Sequence, residues 1–293
     1  MNTLAATGNS NVMSGKDLAA NRIQVQTLQA ISNVCSTGDV TFQGGSCLAL
    51  CYDGVRLSAD LDLCTTAPIS EREYDGIRQQ VTKGISEIYG AQTTLSPLKQ
   101  RGSDSGIKIS RFHVRSVPYD NRPDIPKVDV KVEFADVRRY TSEPRLVRPF
   151  FDEHVHLPII RCECASELVA DKVISSTMSR YLRHRDFWDI FFLKASGELT
   201  VSEAASLYRQ KLDDYEIDAD QVATGLARIS EFMSVPENVD NWAKAVSDRL
   251  VDLDWRRRLQ NTDEARAVTS DAIRTIRLVS GGPIVHSFSR KGR

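Results

Sequence analysis

Asp60 and Asp62 stand two residues apart in a run where Val55, Leu57, Leu61 and Leu63 alternate with Arg56, Ser58, Asp60 and Asp62. On a strand, residues two apart point the same way. Two carboxylates held that close repel each other unless a cation lies between them. Hard oxygen ligands of this kind suit Mg²⁺ or Mn²⁺, above all where substrate phosphates complete the shell. Taken alone, the pair reads more simply as the solvated face of a strand. Its company changes the balance. Gly44, Gly45 and Ser46 lie between a short apolar run and a helix-like run. At such a junction free backbone N–H groups and the helix dipole favour an anion, and glycine lets a phosphate come close. The simpler alternative is a strand-to-helix turn capped by Ser46.

A third carboxylate is expected from a neighbouring strand. The run Lys127 to Phe134 alternates, with Val128, Val130, Val132 and Phe134 on one face and Asp129, Lys131 and Glu133 on the other. Asp129 and Glu133 are both candidates; sheet register decides between them, and Glu133 is the preferred one.

A glycine–serine turn followed by D-x-D and a later carboxylate resembles the nucleotidyltransferase superfamily of the DNA polymerase β type. The fuller string, Phe42-x-Gly44-Gly45-Ser46-x-Leu48 and then Arg56-x-Ser58-x-Asp60-x-Asp62-Leu63, is similar to the AbiEii-like toxins of type IV toxin–antitoxin systems, which act in abortive phage infection. That family carries a second signature, matched here by Glu167, Lys172, Arg185, Asp186 and Asp189. Cys47 departs from the residue often found after the serine. The resemblance implies a metal-dependent transfer of a nucleoside monophosphate from an NTP to an acceptor such as RNA, tRNA or protein, with a cognate antitoxin as partner. It assigns Asp60, Asp62 and Glu133 (or Asp129) to Mg²⁺ or Mn²⁺ and to catalysis. Gly44, Gly45, Ser46, Arg56, Ser58, Lys172, Arg185 and Asp186 are assigned to the nucleotide and its phosphates. Beside that reading, Lys172 is a point charge suited to a triphosphate. Asp186 and Asp189 share a helix face near its positive end, although a salt-bridge role for Asp189 is equally well motivated. Arg180, Arg183 and Arg185 form a basic cluster, while Phe187, Trp188, Phe191 and Phe192 read as core.

The elements that must position these residues follow from periodicity. Helical spacing covers Lys16 to Cys35, strands fill Thr93 to Phe134, and residues 135–160 read as irregular, with three prolines. Beyond about Arg161 six helices are expected, among them Val239 to Leu253. The fold class is therefore α/β (α+β): a nucleotidyltransferase-like mixed-sheet domain over residues 1–160, then an all-α domain over 161–293, with the active site in the cleft between. The 293 residues suit two domains. A net charge of −1 leaves no global field to draw the chain to nucleic acid or a membrane, so such contacts need a local patch. The N-terminus lacks a signal-peptide pattern, no apolar run is long enough to span a bilayer, and six sparse cysteines suit buried thiols in a reducing cytoplasm. His154, His156, Cys162 and Cys164 resemble a zinc set, but H-x-H and C-x-C are not the usual spacings. Two rival functions carry the same motifs: nucleotide or partner binding without turnover, and nucleotidylation of a small molecule such as an antibiotic.

Overall fold

The alternation around Asp62 and Glu133 builds the centre of a mixed sheet. A computed structural model describes residues 13–36, 38–102, 107–118, 126–151 and 156–281; the Asn- and Ser-rich start, most of the proline loop after Pro118, His154 and the basic tail lie outside that set. The chain divides into two compact units, one of Met1–Cys164 with Asp248–Arg256, the other of Ala165–Ser247 with Arg257–Arg293.

The first unit runs α1 (Gly15–Val34), β1 (Val40–Gln43), α2 (Gly44–Cys51), β2 (Leu61–Thr65), α3 (Glu71–Tyr89), β3 (Ala91–Leu95), β4 (Lys99–Gly102), β5 (Lys108–Pro118), β6 (Val128–Asp136), β7 (Glu143–Leu146) and β8 (Ile159–Cys162). Among the described residues the strands form one sheet in the order β3-β5-β6-β2-β1-β8-β7, with β4 on β5. β2 runs parallel to β6 and β1 parallel to β8; the other pairs are antiparallel. Val128, Val130, Val132 and Phe134 of β6 are buried, as the two-residue period requires, alongside Leu61, Leu63, Phe112 and Val114. Tyr74 of α3 meets Phe112 edge-on at 5.4 Å, and Phe112 lies 6.1 Å from Phe134. Each such side chain contributes about 1.5–3 kcal/mol by leaving water. The start of α3 carries the full capping box, Ser70 with Glu73.

Three local expectations change. Helix α2 begins at Gly44, which has φ +77°, so Ser46 lies within its first turn and not at its cap. The stretch read as irregular holds β7 and β8, and Pro144 is tolerated because β7 is an edge strand. The alternating run from Val55 to Leu63 becomes a strand only at Leu61. Before it, the Leu57 N–H donates to the Arg249 carbonyl and the Val251 N–H to the Val55 carbonyl, both at 2.8 Å. Its partner is thus a segment from much later in the chain.

The second unit is helical: α4 (Ala165–Met178), α5 (His184–Ala195), α6 (Val201–Asp214), α7 (Ala219–Ser234), α8 (Pro236–Ser247) and, after α9 (Leu253–Leu259), α10 (Thr262–Ser280). The helix read over Val239 to Leu253 stops at Ser247, where the chain returns to the first unit. Phe187, Trp188 and Trp242 are core, and the Trp242 indole donates to the His184 carbonyl at 2.9 Å.

Candidate active site

Sheet register brings the sequence candidates together. The parallel β2–β6 ladder sets Asp62 opposite Glu133, and the β1–β2 ladder sets it opposite Gln43, the residue before Gly44. Asp129 lies farther down β6, opposite Arg115, with its carboxylate 2.7 Å from His113 Nδ1 and 2.8 Å from Arg115 Nε. Burial alone would raise the Asp129 pKa, but Arg115 and His113 outweigh it and hold the carboxyl low. Of the two candidates, Glu133 is the one beside Asp62.

The diglycine sits against the motif that follows it. A Cβ on Gly44 would lie 2.7 Å from Asp62 Oδ2, and one on Gly45 would lie 2.6 Å from Arg56 Nη2 and 2.9 Å from Ser58 Oγ. A side chain at either position would displace the groups the motif gathers. The Ser46 hydroxyl, buried, donates to the Asp60 carbonyl and ties the first turn of α2 to the start of β2. Gln24 of α1 holds the same loop, its amide donating to the Ser58 and Ala59 carbonyls at 2.8 and 3.0 Å. Sequence reading missed Gln24. Its only trace was a polar residue among the apolar positions of an amphipathic helix.

A cation already stands among the carboxylates. Lys131 Nζ lies 2.5 Å from Glu133 Oε2 and 3.1 Å from Asp60 Oδ2, and Arg111 Nη2 lies 2.5 Å from Glu133 Oε1. Burial disfavours the charged form of Lys131, yet its hydrogen bonds to Glu133 and Asp60 prevail and raise its pKa. Burial likewise works against the Glu133 anion, and Lys131 and then Arg111 reverse it, so the carboxyl stays ionised below the ordinary range. Glu133 of β6 and Asp60 of the loop before β2 thus share the Lys131 ammonium.

The second signature forms buried ion networks in the helical unit. Lys172 Nζ lies 2.6 Å from Asp189 Oδ2 and 3.6 Å from Asp186 Oδ1, and Asp186 also takes Arg183 Nε at 2.6 Å and the Ser175 hydroxyl at 2.8 Å. Glu167 pairs with Lys211 at 2.9 Å, and Lys211 reaches Asp171 at 2.8 Å. Arg185 is exposed at the start of α5. Lys211 went unread because one lysine on an amphipathic helix looks like a surface residue.

A cavity of about 460 Å³ opens in the first unit beside Ala59, the neighbour of Asp60. Lys16, Arg115, Lys127 and Arg249 line it with Asp17 and Asp129, a surplus of positive charge. The zinc set weighed from sequence does not assemble among the described residues: the His156 ring lies 3.2 Å from Gln29, and Cys162 is fully buried while Cys164 is half-buried.

Residues 26–275 match the family model described as the nucleotidyl transferase AbiEii toxin of a type IV toxin–antitoxin system. No curated relative matches on sequence. Among solved structures, JHP933 of Helicobacter pylori is similar over 90% of this chain and 93% of its own, with 16% identity and a TM-score of 0.50, a likeness of fold alone. The nucleotidyltransferase toxin MenT4 of Mycobacterium tuberculosis H37Rv aligns over 92% of this chain and 94% of its own, with 18% identity and a TM-score of 0.49.

Proposed function

Because the chain belongs to the AbiEii family of nucleotidyltransferase toxins, we propose that it moves a nucleoside monophosphate from an NTP to a hydroxyl of an RNA, tRNA being the first acceptor to test, with pyrophosphate leaving. The observation that carries the metal-dependent form of this reading is the pairing of Asp62 with Glu133, with Lys131 joining Glu133 to Asp60.

Mg²⁺ or Mn²⁺ held by Asp60, Asp62 and Glu133 would supply the charge that phosphoryl transfer needs. The first turn of α2 presents backbone N–H groups that have no partner within the helix, at its positive end, to the triphosphate. Gly44 and Gly45 keep that turn close to Asp62, Arg56 and Ser58. Ser46 acts by holding Asp60 in place through its carbonyl. Arg56 brings a cation to the same turn. Lys172, Arg185 and Asp186 are proposed nucleotide contacts on the family signature; Asp189 serves by fixing Lys172.

The cavity argues for the acceptor class. Four basic side chains against two acidic ones suit a polyanion better than a small neutral molecule. Incubation of the protein with each labelled NTP, Mg²⁺ or Mn²⁺, and total tRNA, protein or small-molecule extracts tests the reading. Label should enter RNA and be lost in Asp60→Ala and Asp62→Ala. Label in the small-molecule fraction would establish the antibiotic-type alternative. Binding of NTP with no transfer to any fraction would establish the non-catalytic one. Growth inhibition should vanish with the same substitutions and be relieved by a cognate antitoxin, the partner that this type of system implies. With NTP and RNA as substrates we place the protein in the cytoplasm; no helix among the described residues is long and apolar enough to cross a membrane.

A further inference from the structure

Three cysteines outside the proposed reaction converge behind α2. Cys47 and Cys51 are four residues apart, so one face of the helix carries both. Cys162 closes β8, which pairs with β1 at Phe42, and β1 leads directly into α2. The chain path therefore sets the third thiol beneath the other two. All three sulfurs lie within 4.8 Å of one another, and all three residues are buried.

Buried thiols often serve only as small hydrophobes. Cys35 illustrates that use: it is buried and stands outside the cluster. The trio differs in geometry. Sulfurs bound to one ion at about 2.3 Å stand roughly 4 Å apart, which this arrangement accommodates. Among the described residues no fourth histidine, cysteine or carboxylate joins the group. Zinc in structural sites takes four ligands, whereas soft thiolate donors select Cu(I) and similar ions.

We propose that Cys47, Cys51 and Cys162 form a three-thiolate site for a soft, three-coordinate ion, Cu(I) or As(III), which clips α2 to β8. Binding of Cu(I) releases the three thiol protons and leaves the thiolates on the metal. Binding of arsenous acid, As(OH)₃, instead exchanges three hydroxyls for three thiolates and releases three waters, with no change of oxidation state. A fixed positive charge stands beside one of the three residues. The Arg145 guanidinium sits 3.7 Å from the Tyr52 ring centroid and donates to the Cys51 carbonyl at 3.3 Å.

The test uses the reduced full-length chain without oxygen, titrated separately with Cu(I) and with arsenite against a competing chelator or dithiol. One ion per chain, with three sulfurs at about 2.3 Å by X-ray absorption, is the expected result for at least one of the two, and the two arms show which ion the site takes. Cys162→Ser should weaken binding roughly 100-fold, at least the upper range seen when a supporting partner is lost. Cys35→Ser should bind like the parent. Circular dichroism establishes that each variant is folded, and Cys51→Ser replaces Cys162→Ser if the latter is not. Absence of binding by the folded parent, coordination by two sulfurs, or equal affinity in the parent and a folded trio variant would overturn the site.

Discussion

At the scale of single residues, the glycines and the carboxylates are coupled by contact. Gly44→Ala places a methyl within 2.7 Å of Asp62 Oδ2 at a position with φ +77°. The strain is about 1–3 kcal/mol, and Asp62 must move. Thermal melts should show the loss of stability, and nucleotidyl transfer should fall by more than the melts alone explain. Lys131 tests the cation site directly. Its ammonium holds the ground between Asp60 and Glu133, so Lys131→Met removes a competing charge. The Mg²⁺ needed for half-maximal transfer should drop about tenfold, equivalent to ~1.4 kcal/mol; an unchanged or higher requirement would show that the ammonium does not share the metal's place. Glu133 supplies a pH prediction. Its folded pKa lies below the ordinary value, so its ion pairs stabilise the protein fully above about pH 4.3 and lose that contribution as the pH falls through the folded value. Melting curves of the parent and Glu133→Gln should differ at neutral pH and converge in acid.

At the scale of elements, α4 and α6 are joined through Lys211, buried against Glu167 and Asp171. Lys211→Met removes the cation from the buried Glu167 carboxyl, a loss of about 3–5 kcal/mol. Glu167→Leu added to it should restore most of the stability in urea titrations. If the double variant is no more stable than the single one, the pair is not what makes Lys211 necessary. Elements whose period matched their burial were readable from sequence: α1, the capped α3, β5 and β6, and the later helices. So were Asp60, Asp62 and the diglycine as a group, because local spacing encodes them. The choice of Glu133 over Asp129 was not settled, since register depends on which strands pair. Strand β7 was hidden by Pro144, which its edge position tolerates, and the four-residue β8 by Pro158 just before it. Lys211 was hidden because its partners Glu167 and Asp171 are distant along the chain, and Lys131 because its link from the neighbouring Glu133 to the distant Asp60 needs the folded sheet. The same holds for the thiol trio, whose third member, Cys162, is remote in sequence from Cys47 and Cys51 and joins them only after folding.

At the scale of the whole molecule, the first unit is discontinuous. Leu250 is fully buried and pairs as a bridge with Arg56, so Leu250→Ala should cost about 2–5 kcal/mol and weaken transfer by loosening the loop that carries Arg56 and Ser58. Fluorescence-monitored unfolding and the transfer assay together check this. The return of Asp248–Arg256 to a unit otherwise closed at Cys164 also sets an order of events during synthesis. A ribosome adds about 5–20 residues per second, so roughly 80 further residues, on the order of ten seconds of translation, separate the bulk of the first unit from its last structural piece. Throughout that interval the loop bearing Arg56 lacks its partner. A chain released early by a truncated message would carry every carboxylate of the proposed metal site and still lack the segment that holds the neighbouring loop. For a member of a toxin family, the fold thus delays completion of the loop that carries Arg56 until most of the message has been read.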